Sequence, residues 1–175
     1  MPMKKAAGIK LLLLDVDGVL TNGQIIYDGA GNELKMFDVR DGHGIKLLQR
    51  AGIRVGIITG RSSEVVARRA AELGIELLYQ GALRKLDPYT EILQQTGLKD
   101  EQIAYVGDDL IDLPILRRVG FAATVADADA EVRRRVAYVA EHAGGRGAVR
   151  EICELLIKAA GRWDEVTARY FEDGD

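Results

Sequence analysis

Apolar residues in this chain fall into short unbroken runs, and between those runs they recur at helical spacing. The run Ile9–Leu14 is almost wholly branched aliphatic and reads as a strand buried on both faces. It ends abruptly in Asp15-Val16-Asp17-Gly18, and Gly18 and Gly23 allow the chain to turn away sharply. Similar buried-strand patterns occupy Ile53–Thr59, Ile75–Tyr79, Ile103–Val106, Ala122–Val125 and the short Tyr138–Ala140. Helical spacing marks Asp41–Ala51, with Ile45, Leu47 and Leu48 on one face and Gly52 as the stop. A second helix carries Val65, Val66, Ala70 and Leu73, with Ser62 or Ser63 as its cap and Gly74 as its end. Asp87-Pro88 reads as a cap followed by proline at the first helical position, opening a helix that runs to Gly97. Further helices are predicted through Leu113 and Leu116, around Val132, and from the glycine-rich loop Gly144–Gly147 to about Ala160.

Two weaker β runs, Gln24–Asp28 and Glu33–Phe37, flank the turn-rich Gly29–Asn32 and predict a hairpin flap after the first strand. Alternating strands and helices predict an α/β fold: a Rossmann-like parallel sheet flanked by helices, with right-handed crossovers. The 175 residues read as one domain, with residues 161–175 as a partly helical tail. In such a sheet all strands end on one edge, so Asp15, Thr59 and Asp108 should meet there despite their separation in sequence. Each alone is an ordinary turn residue or cap; three at the ends of buried strands point to a site.

A formal charge of -3 with 29% charged residues offers no basic field for nucleic acid and no disordered acidic tail. Lys4 and Lys5 precede an apolar stretch, but that stretch is short, contains Lys10 and runs into Asp15 without a small-residue cleavage site. The lone Cys153 sits beside Ile152 and Leu155 in a helical pattern and reads as a core thiol in a reducing compartment, and a cytoplasmic location is expected.

Carboxylates at two strand ends make a hard oxygen site suited to Mg2+. An aspartate can also attack phosphorus and carry it as an acyl phosphate. Asp15 is placed for that role, with Lys85, the Thr59 hydroxyl and backbone amides near Asp17 and Gly60 around the transferring group. Asp17 is placed to protonate the leaving oxygen and then activate water. Rival motifs fail. A calcium loop opening at Asp15 would need glycine and glutamate where Leu20 and Ile26 stand. Leu47 occupies the third glycine of a dinucleotide fingerprint, there is no GxxxxGK[ST] loop, and His43 and His142 lack partners at zinc spacing.

DVDGVLTNG, IITGR, Lys85 and VGDDLID resemble the four motifs of the haloacid dehalogenase superfamily of phosphatases. MFDVRDGHGIKLL, LYQGALRKL and AGGRGAVREICELL are similar to its 3-deoxy-D-manno-octulosonate 8-phosphate phosphatases, over about Ile9 to Gly161. The resemblance implies Asp15 as nucleophile and Mg2+ ligand, Asp17 as acid/base and ligand through its carbonyl, and Asp108 completing the metal site. It implies Thr59 and Lys85 as holders of the phosphoryl group. Around the substrate it implies Asp17, Asp38, Val39, Arg40, Asp41, Gly42, Lys46, Arg61, Arg69 and Lys85. Arginine suits a substrate bearing both phosphate and carboxylate. The implied reaction releases phosphate from the eight-carbon sugar acid in lipopolysaccharide precursor synthesis. Asp109 is a candidate for orienting Lys85 or a metal-bound water, and Asp112 for steadying the loop. Asn22 departs from the family's usual aspartate and is expected to change local hydrogen bonds without loss of chemistry.

Between Asp17 and Thr59 there is no room for a separate cap domain. The hairpin exposes Ile25, Ile26, Tyr27, Leu34 and Met36, which pairing with other copies would cover. The resemblance implies a capless homotetramer whose neighbours help close each site, and Gly144–Gly147 then reads as a mobile segment whose Arg146 reaches substrate. Two alternatives compete. A nine-carbon sialic-acid-type 9-phosphate is the rival substrate, and Arg61 favours the eight-carbon acid by resemblance, glutamate being more usual in the nine-carbon enzymes. A phospho-accepting receiver module uses the same residue types, but in it the acidic pair precedes a separate phosphorylated aspartate, which the order here does not match.

Overall fold

The computed structural model describes residues 5–171. Lys4 and the last four residues of the expected tail lie outside the described residues. Six strands form one parallel sheet: β1 (Leu11–Leu14), β4 (Arg54–Ile58), β5 (Leu77–Tyr79), β6 (Ile103–Val106), β7 (Phe121–Thr124) and β8 (Tyr138–Val139), in the order β5-β4-β1-β6-β7-β8. The chain builds outward from β1 on one side, then returns to build outward on the other, so β1 and β6 flank the topological switch point where such sheets bind ligands. Leu14 is level with both Ile57 and Val106. The residues just past β1, β4 and β6 are therefore brought to one edge, as the sequence predicts for Asp15, Thr59 and Asp108.

All four leucines of β1 are fully buried, and alternation divides them between two cores. Leu12 and Leu14 pack with α1 (Val39–Arg50), α2 (Glu64–Leu73) and α6 (Ala148–Ala159), through Ile45, Val66 and Ile152 among others. Leu11 and Leu13 pack on the other face with α3 (Leu86–Thr96), α4 (Leu113–Leu116) and α5 (Ala130–Arg133), through Tyr89, Ile115 and Val132. The three layers explain why the strand reads as an unbroken apolar run. Cys153 is buried in the first core, and burial pushes its thiol far up from the ordinary range. The tail contributes α7 (Trp163–Thr167) and a single 3₁₀ turn at Ala168–Tyr170. Among the described residues no helix is long and apolar enough to cross a membrane.

Element boundaries shift where capping decides them. Helix α1 begins at Val39, ahead of the predicted Asp41, because the Asp38 side chain accepts the Arg40 N–H and starts the helix early. Helix α3 begins at Leu86 with Lys85 in the cap position, so Asp87 is not the cap. Pro88 is tolerated there because N–H groups in the first turn have no intrahelical partner to lose. Ser63 occupies the cap position of α2 without a side-chain cap bond, while its N–H donates to Gln80 Oε1 at 2.8 Å.

The hairpin is a separate antiparallel ribbon of β2 (Ile26–Tyr27) and β3 (Glu33–Leu34), far shorter than the predicted strands. Asp28 closes its turn by accepting the N–H groups of Ala30 and Asn32, both at 2.8 Å.

Asp41 joins α1 to α6. Its buried carboxylate accepts the Arg150 N–H at 2.8 Å and the Gly147 N–H at 3.4 Å, capping α6 from another helix. Asp41→Ala is expected to leave those donors unpaired and to lower stability by ~1–3 kcal/mol. A urea titration in which the midpoint does not move would reject this role.

Candidate active site

Three strand ends and one loop build the site. Asp15 follows β1 and is buried; its N–H donates to Val106 O at 2.9 Å, continuing the ladder with β6 past the last strand residue. One carboxylate oxygen accepts the Val16 N–H at 2.7 Å, and the other lies 2.9 Å from Lys85 Nζ. Lys85 comes from the segment between β5 and α3, and its side chain is 1% exposed. So deep an ammonium requires anionic partners, and Asp112 supplies the second at 2.7 Å.

Asp112 is saturated. Its Oδ1 also accepts the Tyr105 hydroxyl at 2.6 Å, and its Oδ2 accepts the N–H groups of Asp108 at 3.0 Å and Asp109 at 3.3 Å. The loop-steadying role expected of Asp112 is seen, and the Lys85-orienting role expected of Asp109 falls to Asp112 as well. Asp112 orients Lys85 and also fixes the loop, whereas the Asp109 side chain accepts the Leu110 N–H at 2.6 Å, capping the 3₁₀ turn Leu110–Asp112.

Asp15, Asp108 and Asp112 present carboxylate oxygens within 4.8 Å of one another, the one such acidic group among the described residues. Burial raises Asp15 to about 6 against the pull of Lys85, and burial together with Asp15 and Asp112 raises Asp108 to about 7. Burial draws Lys85 down, but Asp15 and Asp112 outweigh it and the net shift is upward. Asp108 Oδ1 is buried without a hydrogen-bond partner. An orphaned carboxylate oxygen beside a second carboxylate is the donor set a small hard cation requires, and Asp112, already bound to four donors, has no lone pair to spare for it. Gly18, at φ +91°, lies over Asp108; a Cβ there would come within 2.0 Å of Asp108 Oδ2, so only glycine leaves that carboxylate its place.

Above this group is a cleft of about 180 Å³ lined by Asp15, Asp17, Thr59, Arg61, Asp108 and Asp109. Thr59 is held by its backbone, donating to Tyr79 O at 2.9 Å and accepting from Ala82 N at 3.0 Å. The Asp17 carboxylate faces the hairpin: Oδ1 pairs with Lys35, and Oδ2 is 3.8 Å from Arg61 Nε. Arg61 also donates to Glu33 at 3.0 Å.

The remaining candidates divide. Arg40 pairs with Asp38 at 3.2 Å and is two-thirds exposed. Both line a second hollow of about 370 Å³, together with Asn22, Met36, Phe37 and Arg146. Val39 is exposed nearby in sequence. Arg69 lies against Gly42, with its guanidinium 5.8 Å from the Phe37 ring centre and 3.2 Å from Glu72. Lys46 is turned elsewhere: its Nζ donates to Leu73 O at 2.7 Å, satisfying a carbonyl at the end of α2. Within this chain Lys46 and Asp41 thus serve helix ends and do not line the cleft. Asn22 exchanges hydrogen bonds with Gln24. The Gly144–Gly147 loop is pinned down. Gly144 donates to Asp127 at 2.9 Å, Gly145 donates to Val19 O at 2.9 Å, and a Cβ on Gly144 would lie 1.8 Å from Gly18 O.

Sequence reasoning missed Lys35 and Tyr105. Tyr105 carries no signal, since an aromatic in a buried strand reads as core. Lys35 does: if Leu34 and Met36 point one way along the hairpin, Glu33 and Lys35 must point the other, toward the aspartates.

The profile of the haloacid dehalogenase-like hydrolases matches residues 30–120. A 3-deoxy-D-manno-octulosonate 8-phosphate phosphatase of Escherichia coli is 50% identical over 163 residues, covering 93% of this chain and 87% of that protein. The crystal structure of the phosphatase of that name from Yersinia pestis superposes with a TM-score of 0.90 at 47% identity, over 91% of this chain and 86% of that one. That from Moraxella catarrhalis, in complex with a magnesium ion, a phosphate ion and a KDO molecule, superposes at 0.94 with 44% identity, over 96% of this chain and 97% of that one. With the parallel sheet and its four motif segments meeting at one edge, these likenesses establish that the chain belongs to the haloacid dehalogenase-like hydrolases, in the group of the 3-deoxy-D-manno-octulosonate 8-phosphate phosphatases.

Proposed function

We propose that this protein is a Mg2+-dependent phosphatase of 3-deoxy-D-manno-octulosonate 8-phosphate, releasing the sugar acid and phosphate through an aspartyl-phosphate on Asp15. The observation that carries the reading is the meeting of Asp15, Thr59, Lys85 and Asp108 at one sheet edge, in a chain half identical to a phosphatase of that name. An Asp15 carboxylate oxygen bonds to phosphorus as the bond to the ester oxygen breaks, and Asp17 gives that oxygen its proton. Water then attacks the same phosphorus, passes a proton to Asp17, and frees phosphate and the Asp15 carboxylate. Lys85 and the Thr59 hydroxyl hold the phosphoryl oxygens. Asp15, the Asp17 carbonyl and Asp108 would hold Mg2+, which when bound offsets the crowded negative charge and polarises the phosphoryl group.

Arg61, at the cleft, and Arg40, at the neighbouring hollow, are suited to the substrate's carboxylate, with Asp38, Asp41, Gly42 and Arg69 lining a small recess that shares Phe37 and Asp38 with that hollow. Lys46 would need to leave the Leu73 carbonyl to join them. We place the enzyme in the cytoplasm, in lipopolysaccharide precursor synthesis, as one catalytic domain whose hairpin is its flap. We further propose a homotetramer built on that hairpin. Ile25, Tyr27, Leu34 and Met36 are each at least half exposed, more apolar surface than a two-stranded ribbon is expected to leave in water.

Steady-state kinetics on the eight-carbon 8-phosphate and a nine-carbon sialic-acid-type 9-phosphate test the substrate. A higher kcat/KM for the eight-carbon acid is expected, and the opposite preference would overturn the choice. Asp15→Asn should abolish turnover and leave the thermal transition in place; substantial residual activity would remove Asp15 as nucleophile.

The raised carboxyls make a further prediction. A carboxyl whose folded pKa is raised keeps a proton the unfolded chain has released, so the metal-free protein loses stability as pH rises from ~4, the ordinary carboxylate value. That loss is complete once pH passes the values of about 6 for Asp15 and about 7 for Asp108. Mg2+ needs both groups ionised, so its stabilisation should grow over the same interval. Calorimetry should show a larger Mg2+-induced rise in Tm near pH ~8 than near ~5.5, and equal rises would refute the linkage.

A further inference from the structure

The hairpin is amphipathic in the reverse of the usual sense. Leu34 and Met36 face outward, half or more exposed, while Glu33 and Lys35 turn inward over the catalytic loop. The Lys35 side chain is 1% exposed and its ammonium lies between the carboxylates of Asp17 and Glu33, the latter at 3.4 Å. Lysine normally extends its head to water. Burying the head carries a desolvation cost that only close anions offset, so this placement requires Asp17 as much as Asp17 benefits from it.

Arg61 completes a ring by approaching Asp17 at 3.8 Å and Glu33 at 3.0 Å. The two cations are not equivalent. Arg61 is two-fifths exposed, and its Nε is buried without a hydrogen bond, so an arriving anion can draw it away. Lys35 is enclosed and has no such route. It binds Asp17 Oδ1, leaving Oδ2 on the side of Arg61 and the cleft.

We infer that Lys35 is a positioning residue for Asp17: it anchors Oδ1 so that Oδ2 is the atom exchanging protons with the leaving oxygen and with water. The inference rests on the acid/base role proposed above for Asp17. It makes the hairpin part of the catalytic apparatus of its own subunit, besides any contact it makes with neighbours.

Leaving-group dependence separates this role from a merely structural one. With an alkyl phosphate the departing alkoxide needs a proton, whereas with p-nitrophenyl phosphate the phenolate departs without one. General acid catalysis contributes typically ~10²–10⁴-fold, so misplacing the acid without removing it should forfeit part of that. Lys35→Met is expected to lower kcat/KM about 10–100-fold on the sugar phosphate, within that general-acid range, and at most about 3-fold on p-nitrophenyl phosphate. Lys35→Arg should recover part of the loss on the sugar phosphate. Lys35→Gln, which keeps a polar donor in the buried position, serves in the same comparison if the methionine variant does not fold. Equal losses on the two substrates, or none on the sugar phosphate, would overturn the inference. If the wild-type protein turns over another alkyl phosphate but not the eight-carbon acid, the substrate reading fails, and the alkyl-to-aryl comparison made with that phosphate still decides the role of Lys35.

Discussion

One ammonium holds together an edge of the sheet that its carboxylates would otherwise push apart. Asp15, Asp108 and Asp112 crowd within 4.8 Å, and Lys85 is the cation enclosed with Asp15 and Asp112. Its two short contacts do different things. The bond to Asp112 is structural: Asp112 also takes the Tyr105 hydroxyl and two backbone N–H groups, so it fixes the loop carrying Asp108 and aims Lys85 at once. The contact with Asp15 places a donor beside the carboxylate proposed as the nucleophile. With its one charge shared between two carboxylates, Lys85 only partly offsets Asp108, whose buried Oδ1 has no hydrogen-bond partner. Removing a partner from such a group is costly, so the site is arranged to be completed by a cation from outside.

The parts of this arrangement that depend on strand ends were legible in the sequence. An apolar run ending in two acids, and parallel strands sharing one edge, suffice to bring Asp15, Thr59 and Asp108 together, because backbone topology alone decides it. What depends on a side chain's direction was not legible. In VGDDLID the contact with Lys85 is expected of Asp109, and only the turn at Leu110 shows that Asp109 caps it while Asp112 points inward to Lys85. Lys46, on α1, looks like one more cation beside DVRDG, yet its long stem carries the ammonium to the Leu73 carbonyl. Asp87-Pro88 misled for a related reason: proline is allowed anywhere in the first turn, so it marks a helix start only to within a residue or two.

The hairpin poses the sharper physical problem. A lid over a phosphoryl-transfer site must exclude water, and a separate domain does so with bulk. Two strands of two residues have no core of their own, so whatever fixes them must come from either face. On the inner face the ring of Asp17, Lys35, Glu33 and Arg61 provides it, binding the ribbon to the Asp17 loop, with the Lys35 ammonium enclosed enough to be poorly screened and Arg61 open to solvent. On the opposite face Leu34 and Met36 are half or more exposed, and apolar area of that kind calls for another protein surface.

These two faces are linked by strand periodicity. Leu34 and Met36 cannot turn inward without Glu33 and Lys35 turning out, because the pleat alternates residue by residue. Any contact that buries Leu34 and Met36 therefore also holds Lys35 against Asp17. In a ribbon this small, packing against Leu34 and Met36 and the pairing of Lys35 with Asp17 become one constraint: the hairpin needs only an orientation, and the alternation of its side chains transmits that orientation to the Asp17 carboxylate.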